Sequence, residues 1–227
     1  MTEHILDRPI WNSLTTAHAR FATGDGNARR FKKNISIFAG QKDESADSLD
    51  ALARLMPSNG NLFLIQVAPV LLPDGIQSAM TGEGCQMLLE TLNASKTKAH
   101  HIERLGAADA KEMYDLAMLT KPGPYLMDTR LLGDFWGVKE EDKLIAMAGE
   151  RFRHKGFAEI SGVCTHPDHL GRGLAHELCV HVAEQILARG EHPYLQVFAT
   201  NTRAIRVYEN LGFRTRARVN AVMLEKA

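Results

Sequence analysis

The residues with the clearest chemical potential run from Glu159 to Ala175, reading E-I-S-G-V-C-T-H-P-D-H-L-G-R-G-L-A. Ile160, Val163 and Thr165 are β-branched and predict a strand, His166-Pro167-Asp168 a turn, and Gly171-Arg172-Gly173 the opening of a helix. The first turn of a helix carries unpaired N–H groups and the positive end of the helix dipole. Glycines there let backbone donors approach a phosphate closely, so the expected ligand is an anion, above all a pyrophosphate. A dinucleotide site would need G-x-G-x-x-G with an acidic residue about 20 positions on, ending a second strand. Gly171-x-Gly173 lacks the third glycine, and the segment near Glu191 reads as a turn. The string G-x-x-x-x-G-K-[ST] of a P-loop does not occur.

Downstream, 194–198 reads as a short buried strand, followed by Asn201, Ala204, Tyr208, Gly212 and Phe213 in the pattern N-x-x-A-x-x-x-Y-x-x-x-G-F. Together with the glycine loop, this spacing resembles the GNAT acyltransferase superfamily. There the loop between the fourth strand and the third helix reads [QR]-x-x-G-x-[GA] and cradles the pyrophosphate of coenzyme A. Leu170-Gly171-Arg172-Gly173-Leu174-Ala175 matches at Gly173 and Ala175 and departs at Leu170, where Gln or Arg is usual. The wording of 146–151, E-I-S-G-V-C-T-H-P and the Lys121-Pro-Gly-Pro loop further resemble the subgroup that includes glycine N-acyltransferase-like proteins, over about the last 125 residues.

The resemblance implies acetyl coenzyme A (acyl coenzyme A) as co-substrate and acyl transfer to an amine as the reaction. Backbone N–H groups at Val163 and Thr165, flanking Cys164, would hold the pantetheine and polarise the thioester carbonyl. Tyr208 matches the general acid that protonates the departing thiolate, though a tyrosine among Ala204, Ile205 and Leu211 also suits a core. Asn201 is an expected helix N-cap and, by resemblance, a coenzyme A contact alongside Ala204. Glu159 stands six residues before Thr165. Strict alternation places both on one face, which makes Glu159 the expected base; the alternative is a structural carboxylate paired with a basic neighbour. Tyr125 and Met127, on the segment after the first helix of the domain, are the expected substrate contacts. Cys164 has no assignable histidine partner, so direct attack in a ternary complex is preferred to a covalent route.

These residues need a scaffold. Apolar spacing predicts helices over 9–22, 48–56 and 107–119, and over the stripe Leu174, Leu178, Val182, Ile186, closed by Arg189-Gly190. Strands are expected at 34–38, 60–67, 67–72, 86–92, 102–105, 135–139, 143–152 and 156–165, with a turn at Gly82–Gly84 and an acidic, solvated turn at 140–142. The whole implies an α+β fold, a GNAT-type twisted mixed β-sheet flanked by helices. Residues 1–95 read as an N-terminal α/β half-domain, either a degenerate copy of that fold or a cap. Residues 96–227 read as the catalytic domain, with a polar linker at 93–101.

The 227 residues are 44% hydrophobic, and Lys+Arg and Asp+Glu balance at 27 each. That supplies a core and no global field for nucleic acid or an anionic membrane. The basic run Arg29-Arg30-Phe31-Lys32-Lys33 reads as a solvated face. Three scattered cysteines suit a reducing compartment, and no apolar run is long enough to span a bilayer, so a cytoplasmic protein is expected. His176 and His181 imitate a zinc helix, but their i, i+5 spacing turns them roughly 140° apart, and no metal is expected. The predicted function is therefore acetyl transfer to the primary amine of a small molecule, by a monomer or a homodimer. The rival is a non-catalytic acyl coenzyme A binding or regulatory module.

Overall fold

The computed structural model describes residues 4–93 and 100–227. Most of the expected linker at 93–101 lies outside them. In chain order the elements are α1 (Pro9–Thr15), β1 (Ala22–Gly24), β2 (Ala28–Phe31), β3 (Ala39–Gln41), α2 (Ala46–Arg54), β4 (Leu62–Gln66), β5 (Ile76–Leu89), β6 (Glu103–Leu105), α3 (Ala110–Thr120), β7 (Phe135–Glu140), β8 (Lys143–His154), β9 (Phe157–Thr165), α4 (Leu174–Ala188), β10 (His192–Phe198), α5 (Thr202–Leu211) and β11 (Phe213–Lys226). The class is α+β, as expected: a mixed sheet flanked by helices.

Eight strands form one sheet in the order β4-β11-β5-β10-β9-β8-β7-β6, and β1-β2-β3 form a separate three-stranded one. Within the large sheet only β9 and β10 run parallel. β4 and β5, from the first 95 residues, are thus strands of the same sheet as β6–β11. β5 lies between β10 and β11, pairing Gln86 with Gln196 on one side and Val219 with Gly84 on the other.

That insertion corrects the expected turn at Gly82–Gly84, which is the middle of β5. A Cβ on Gly84 would lie 2.9 Å from Val219 Cγ2, and one on Gly82 3.2 Å from Phe198 Cε1. The glycines serve close approach, the other reason a strand carries them. The expected strand at 34–38 forms no strand: the chain turns at 34–35, and pairing resumes at Phe38, which bridges Phe63, just before β3. Residues 67–72 form no strand; Pro69 cannot donate to a ladder. The helix predicted over 9–22 ends at Thr15.

α4 buries Leu174, Leu178, Cys179, Val182, Ala183 and Ile186 in one cluster with Ile160 and Leu195. Each such large aliphatic side chain contributes about 1.5–3 kcal/mol by leaving water. On the other face, Met113, Leu116 and Ala117 of α3 meet Tyr125, Phe135, Met147 and Cys164. A further cluster joins α1 to β4, β8 and β11 through Leu14, Phe63, Phe152 and Val219. Among the described residues, no helix is long and apolar enough to cross a membrane.

Candidate functional site

The site arises where β9 and β10 part. Their parallel pairing covers only His192–Phe157, Pro193–Ala158 and Tyr194–Glu159. Beyond it, β10 stays with β5 while the far end of β9 pairs only with β8. The backbone edge of Val163–Thr165 is thereby turned toward a gap.

A bulge decides what points into that gap. Between the pairs Met147–Cys164 and Gly149–Ser161, β9 holds one residue more than β8, and Gly162 takes φ +65°. The extra residue reverses the alternation. Ile160 and Val163 both pack on the α4 side, whereas Cys164 packs on the α3 side. Glu159 and Thr165 therefore lie on opposite faces, which corrects the same-face expectation.

Glu159 is fully buried. Its carboxylate accepts Nε and Nη2 of Arg151, both at 2.8 Å, and Nε2 of Gln196 at 2.9 Å. It lines neither of the two cavities that flank the gap. It is paired with a basic neighbour, and Arg151 and Gln196, beside it, are the groups that reach the cleft.

On one side of the gap is a cavity of about 560 Å³. It gathers the expected donor-binding residues: Val163, Cys164 and Thr165 from β9; Leu170, Gly171, Arg172, Gly173, Leu174 and Ala175 from the loop and α4; Asn201 and Ala204 from α5. Gly171 and Gly173 sit at φ +80° and +79° with open space around each Cβ position. Conformation, not crowding, calls for glycine there. The N–H groups of Leu174, Ala175 and His176 precede the first bond of α4, Glu177 N–H to Gly173 O at 3.1 Å, so they are the orphan donors of its first turn. Asn201 caps α5, accepting Ala204 N–H at 3.1 Å.

Arg172 does not reach toward an anion. Its guanidinium donates to both oxygens of Glu140 at 3.1 Å, and this pairing lowers the Glu140 pKa. Glu140, expected in a merely solvated turn, is the last residue of β7 and ties down the glycine loop. Backbone donors are left as the main anion grip. His176 lines the cavity, while His181 packs edge-on against Trp136 at 4.3 Å.

Tyr208 borders this cavity and a second one of about 410 Å³ across the gap. Burial, with Cys179 secondarily, pushes its phenol pKa up, so it stays protonated at neutral pH. Cys164 also touches both cavities, but burial pushes its thiol up to about 11, which leaves it a poor nucleophile.

The second cavity is walled by the loop Lys121–Pro124, by Arg151 and Gln196, and by Phe63, Ile65, Val219 and Ala221. Tyr125 and Met127 are not in that wall. Tyr125 is 4% exposed in the α3 cluster, its hydroxyl buried without a partner, and Met127 is exposed. Lys121 turns the chain with φ +51° at the end of α3. From that αL residue on, Pro122–Pro124 line the cleft and Tyr125 does not. Arg151, Phe63 and Ile65 carried no local signal, because strand pairing alone brings them here.

The family model described as FR47-like protein matches residues 136–222. Among solved structures, a protein of Novosphingobium aromaticivorans assigned to the GNAT family of acetyltransferases is 39% identical, with a TM-score of 0.92, covering 99% of this chain and 100% of its own. A GCN5-related N-acetyltransferase from Kribbella flavida shares the fold at 16% identity and TM-score 0.69, over 99% of this chain and 96% of its own. A GCN5-related N-acetyltransferase-like protein of Streptococcus suis shares it at 15% and 0.62, over 96% and 92%. Among functionally curated proteins, none matches this chain.

Proposed function

The chain belongs to the GNAT family of acetyltransferases, and from that premise we propose that it moves an acetyl group from acetyl coenzyme A to the primary amine of a small molecule, by direct attack in a ternary complex. The observation that carries this reading is the meeting of two cavities at the exposed edge of Val163–Thr165, with Tyr208 bordering both. One cavity suits an anionic donor and the other a small acceptor.

The residues fit the donor. The α4 N-terminus and the two αL glycines suit a pyrophosphate, and the strand edge offers N–H groups to an amide-bearing arm and a carbonyl. Acetyl coenzyme A, once bound, supplies the activated thioester. Tyr208, protonated at neutral pH, is suited to donate its O–H proton to the leaving sulfur. No carboxylate of the described residues lines the acceptor cavity, so the acceptor nitrogen loses its proton to solvent. Balanced charge, with Lys+Arg and Asp+Glu at 27 each, supports a small acceptor over a charged polymer. The burial of Glu159 favours a second reading, a donor-binding module without turnover.

Isothermal titration with acetyl coenzyme A, beside release of free thiol in the presence of an amine panel, tests both. Binding with amine-dependent thiol release is the expected result. Binding without release from any amine would leave the module reading, and no binding would remove both.

A further inference from the structure

The acceptor cavity has a one-sided charge. Its described lining includes Lys121 and Arg151 and no aspartate or glutamate. Glu159 behind it is already held by Arg151 and Gln196. A polyamine, an aminoglycoside or a lysine side chain would present further cations to these two and meet no anion.

Three polar groups are incompletely used, Arg151 and Gln196 in the wall of this cavity and Tyr125 beneath it. Arg151 engages Glu159 through Nε and Nη2, and its Nη1 has no partner among the described residues. The residue is only 8% exposed and also lines a small cavity of about 10 Å³ with Tyr125, under the loop Pro122–Pro124. That is room for about one oxygen-sized group. The Tyr125 hydroxyl and the Gln196 Oε1 atom are both buried without a hydrogen bond. Buried polar atoms are ordinarily satisfied, so unpaired ones beside a cleft call for a complementary ligand. Arg151 Nη1 and the Tyr125 hydroxyl can donate, and Gln196 Oε1 can only accept. Opposite them stand the apolar Phe63, Ile65, Val219 and Ala221.

We infer that the acceptor is a primary amine bearing a carboxylate and an apolar side chain, an apolar amino acid, whose acid group is bound by Arg151 and whose amine is oriented by Gln196 Oε1. The inference rests on the acyl-transfer reading and adds the class of acceptor to it. Arg151 thus becomes a specificity residue: its fork is fixed by Glu159, cation–π contact with Phe38 and Phe152 at 4.6 and 4.5 Å holds it in place, and Nη1 is left over for the acceptor. The apolar wall places a side chain larger than glycine's against Phe63 and Ile65.

The test compares kcat/KM of the wild-type protein for phenylalanine, phenylalaninamide, phenethylamine, glycine and spermidine, with acetyl coenzyme A as donor. Phenylalanine is expected to exceed its amide and phenethylamine by about tenfold or more, because those analogues leave a buried guanidinium donor unpaired. Glycine should be poorer and spermidine inactive. Equal or better use of the amide, phenethylamine or spermidine overturns the inference while leaving acyl transfer intact. Calorimetric titration of the coenzyme A complex with phenylalanine separates the remaining cases. Binding without turnover upholds the acceptor class and sinks the transfer reading; neither binding nor turnover overturns the acceptor class. A double variant, Arg151→Met with Glu159→Gln, avoids leaving a buried carboxylate unpaired. It should keep coenzyme A affinity, raise KM for phenylalanine and abolish the preference over the amide; retained preference counts against the role of Arg151.

Discussion

Arg151 and Glu159 face each other across a register shift, with Arg151 and Phe152 of β8 opposing the single residue Glu159 of β9, and their two 2.8 Å hydrogen bonds close a buried fork. Removing one partner strands a buried charge. Glu159→Ala is expected to lose about 3–5 kcal/mol of stability in urea denaturation. Well below the melting transition, KM for the acceptor should rise as Arg151 loosens. The fall in kcat should stay smaller than the roughly 10²-fold or more that loss of a general base brings. A large kcat loss with unchanged stability would restore Glu159 as the base.

Tyr208 borders both cavities, and burial keeps its phenol O–H protonated at neutral pH. Tyr208→Phe is expected to lower kcat by about 10²-fold or more. Coenzyme A affinity, read by calorimetry, should move by no more than about threefold, because the hydroxyl serves a transition-state proton and not the ground-state grip. Equal kcat in the two proteins would remove Tyr208 from the reaction.

Gly173 caps α4 in the left-handed region with no neighbour near its Cβ position. Gly173→Glu sets a carboxylate at the anion site and should abolish coenzyme A binding. Gly173→Ala meets no clash, so it should cost only the left-handed strain of about 1–2 kcal/mol and retain measurable binding. Loss of binding in both would assign the effect to loop distortion instead of charge.

His18 and His154 are buried, and burial pushes each pKa from 6.5 down to about 4. His18 is held through Ser13 Oγ at 2.6 Å and the Leu132 carbonyl at 2.8 Å. Between these pKa values the unfolded chain binds more protons than the folded one. Stability is therefore full above about pH 6.5 and falls as pH drops toward about 4, by up to about 1.4 kcal/mol per pH unit for each histidine. Urea midpoints across that window measure it; His18→Gln should flatten the slope.

β5 separates β10 from β11, and Gly212, at φ +100°, lies so close to Thr91 that a Cβ would sit 1.7 Å from its carbonyl oxygen. A fragment of residues 96–227 would leave the inner edges of β10 and β11 unpaired, and it is expected to aggregate or stay unfolded by circular dichroism. Gly212→Ala should fail in the same way, at a cost of several kcal/mol. A folded, monomeric 96–227 fragment would show that the sheet closes without β5.

What the sequence determined by itself is local. The glycine-opened start of α4, the Asn201 cap of α5 and the apolar stripe from Leu174 to Ile186 each depend on backbone preferences and periodicity within a few residues, and each stands where spacing put it. Tertiary structure decided the rest. Glycines at 82 and 84 look the same in a turn as in a strand, and only the nearness of Phe198 and Val219 tells them apart. The face Glu159 occupies depended on a bulge at Gly162, which exists only against β8. The acceptor wall joins residues as distant as Ile65 and Ala221 by pairing β4 with β11. Alternation along one strand carries no information about its partner, so the donor loop was legible while the acceptor cleft waited for the sheet to close.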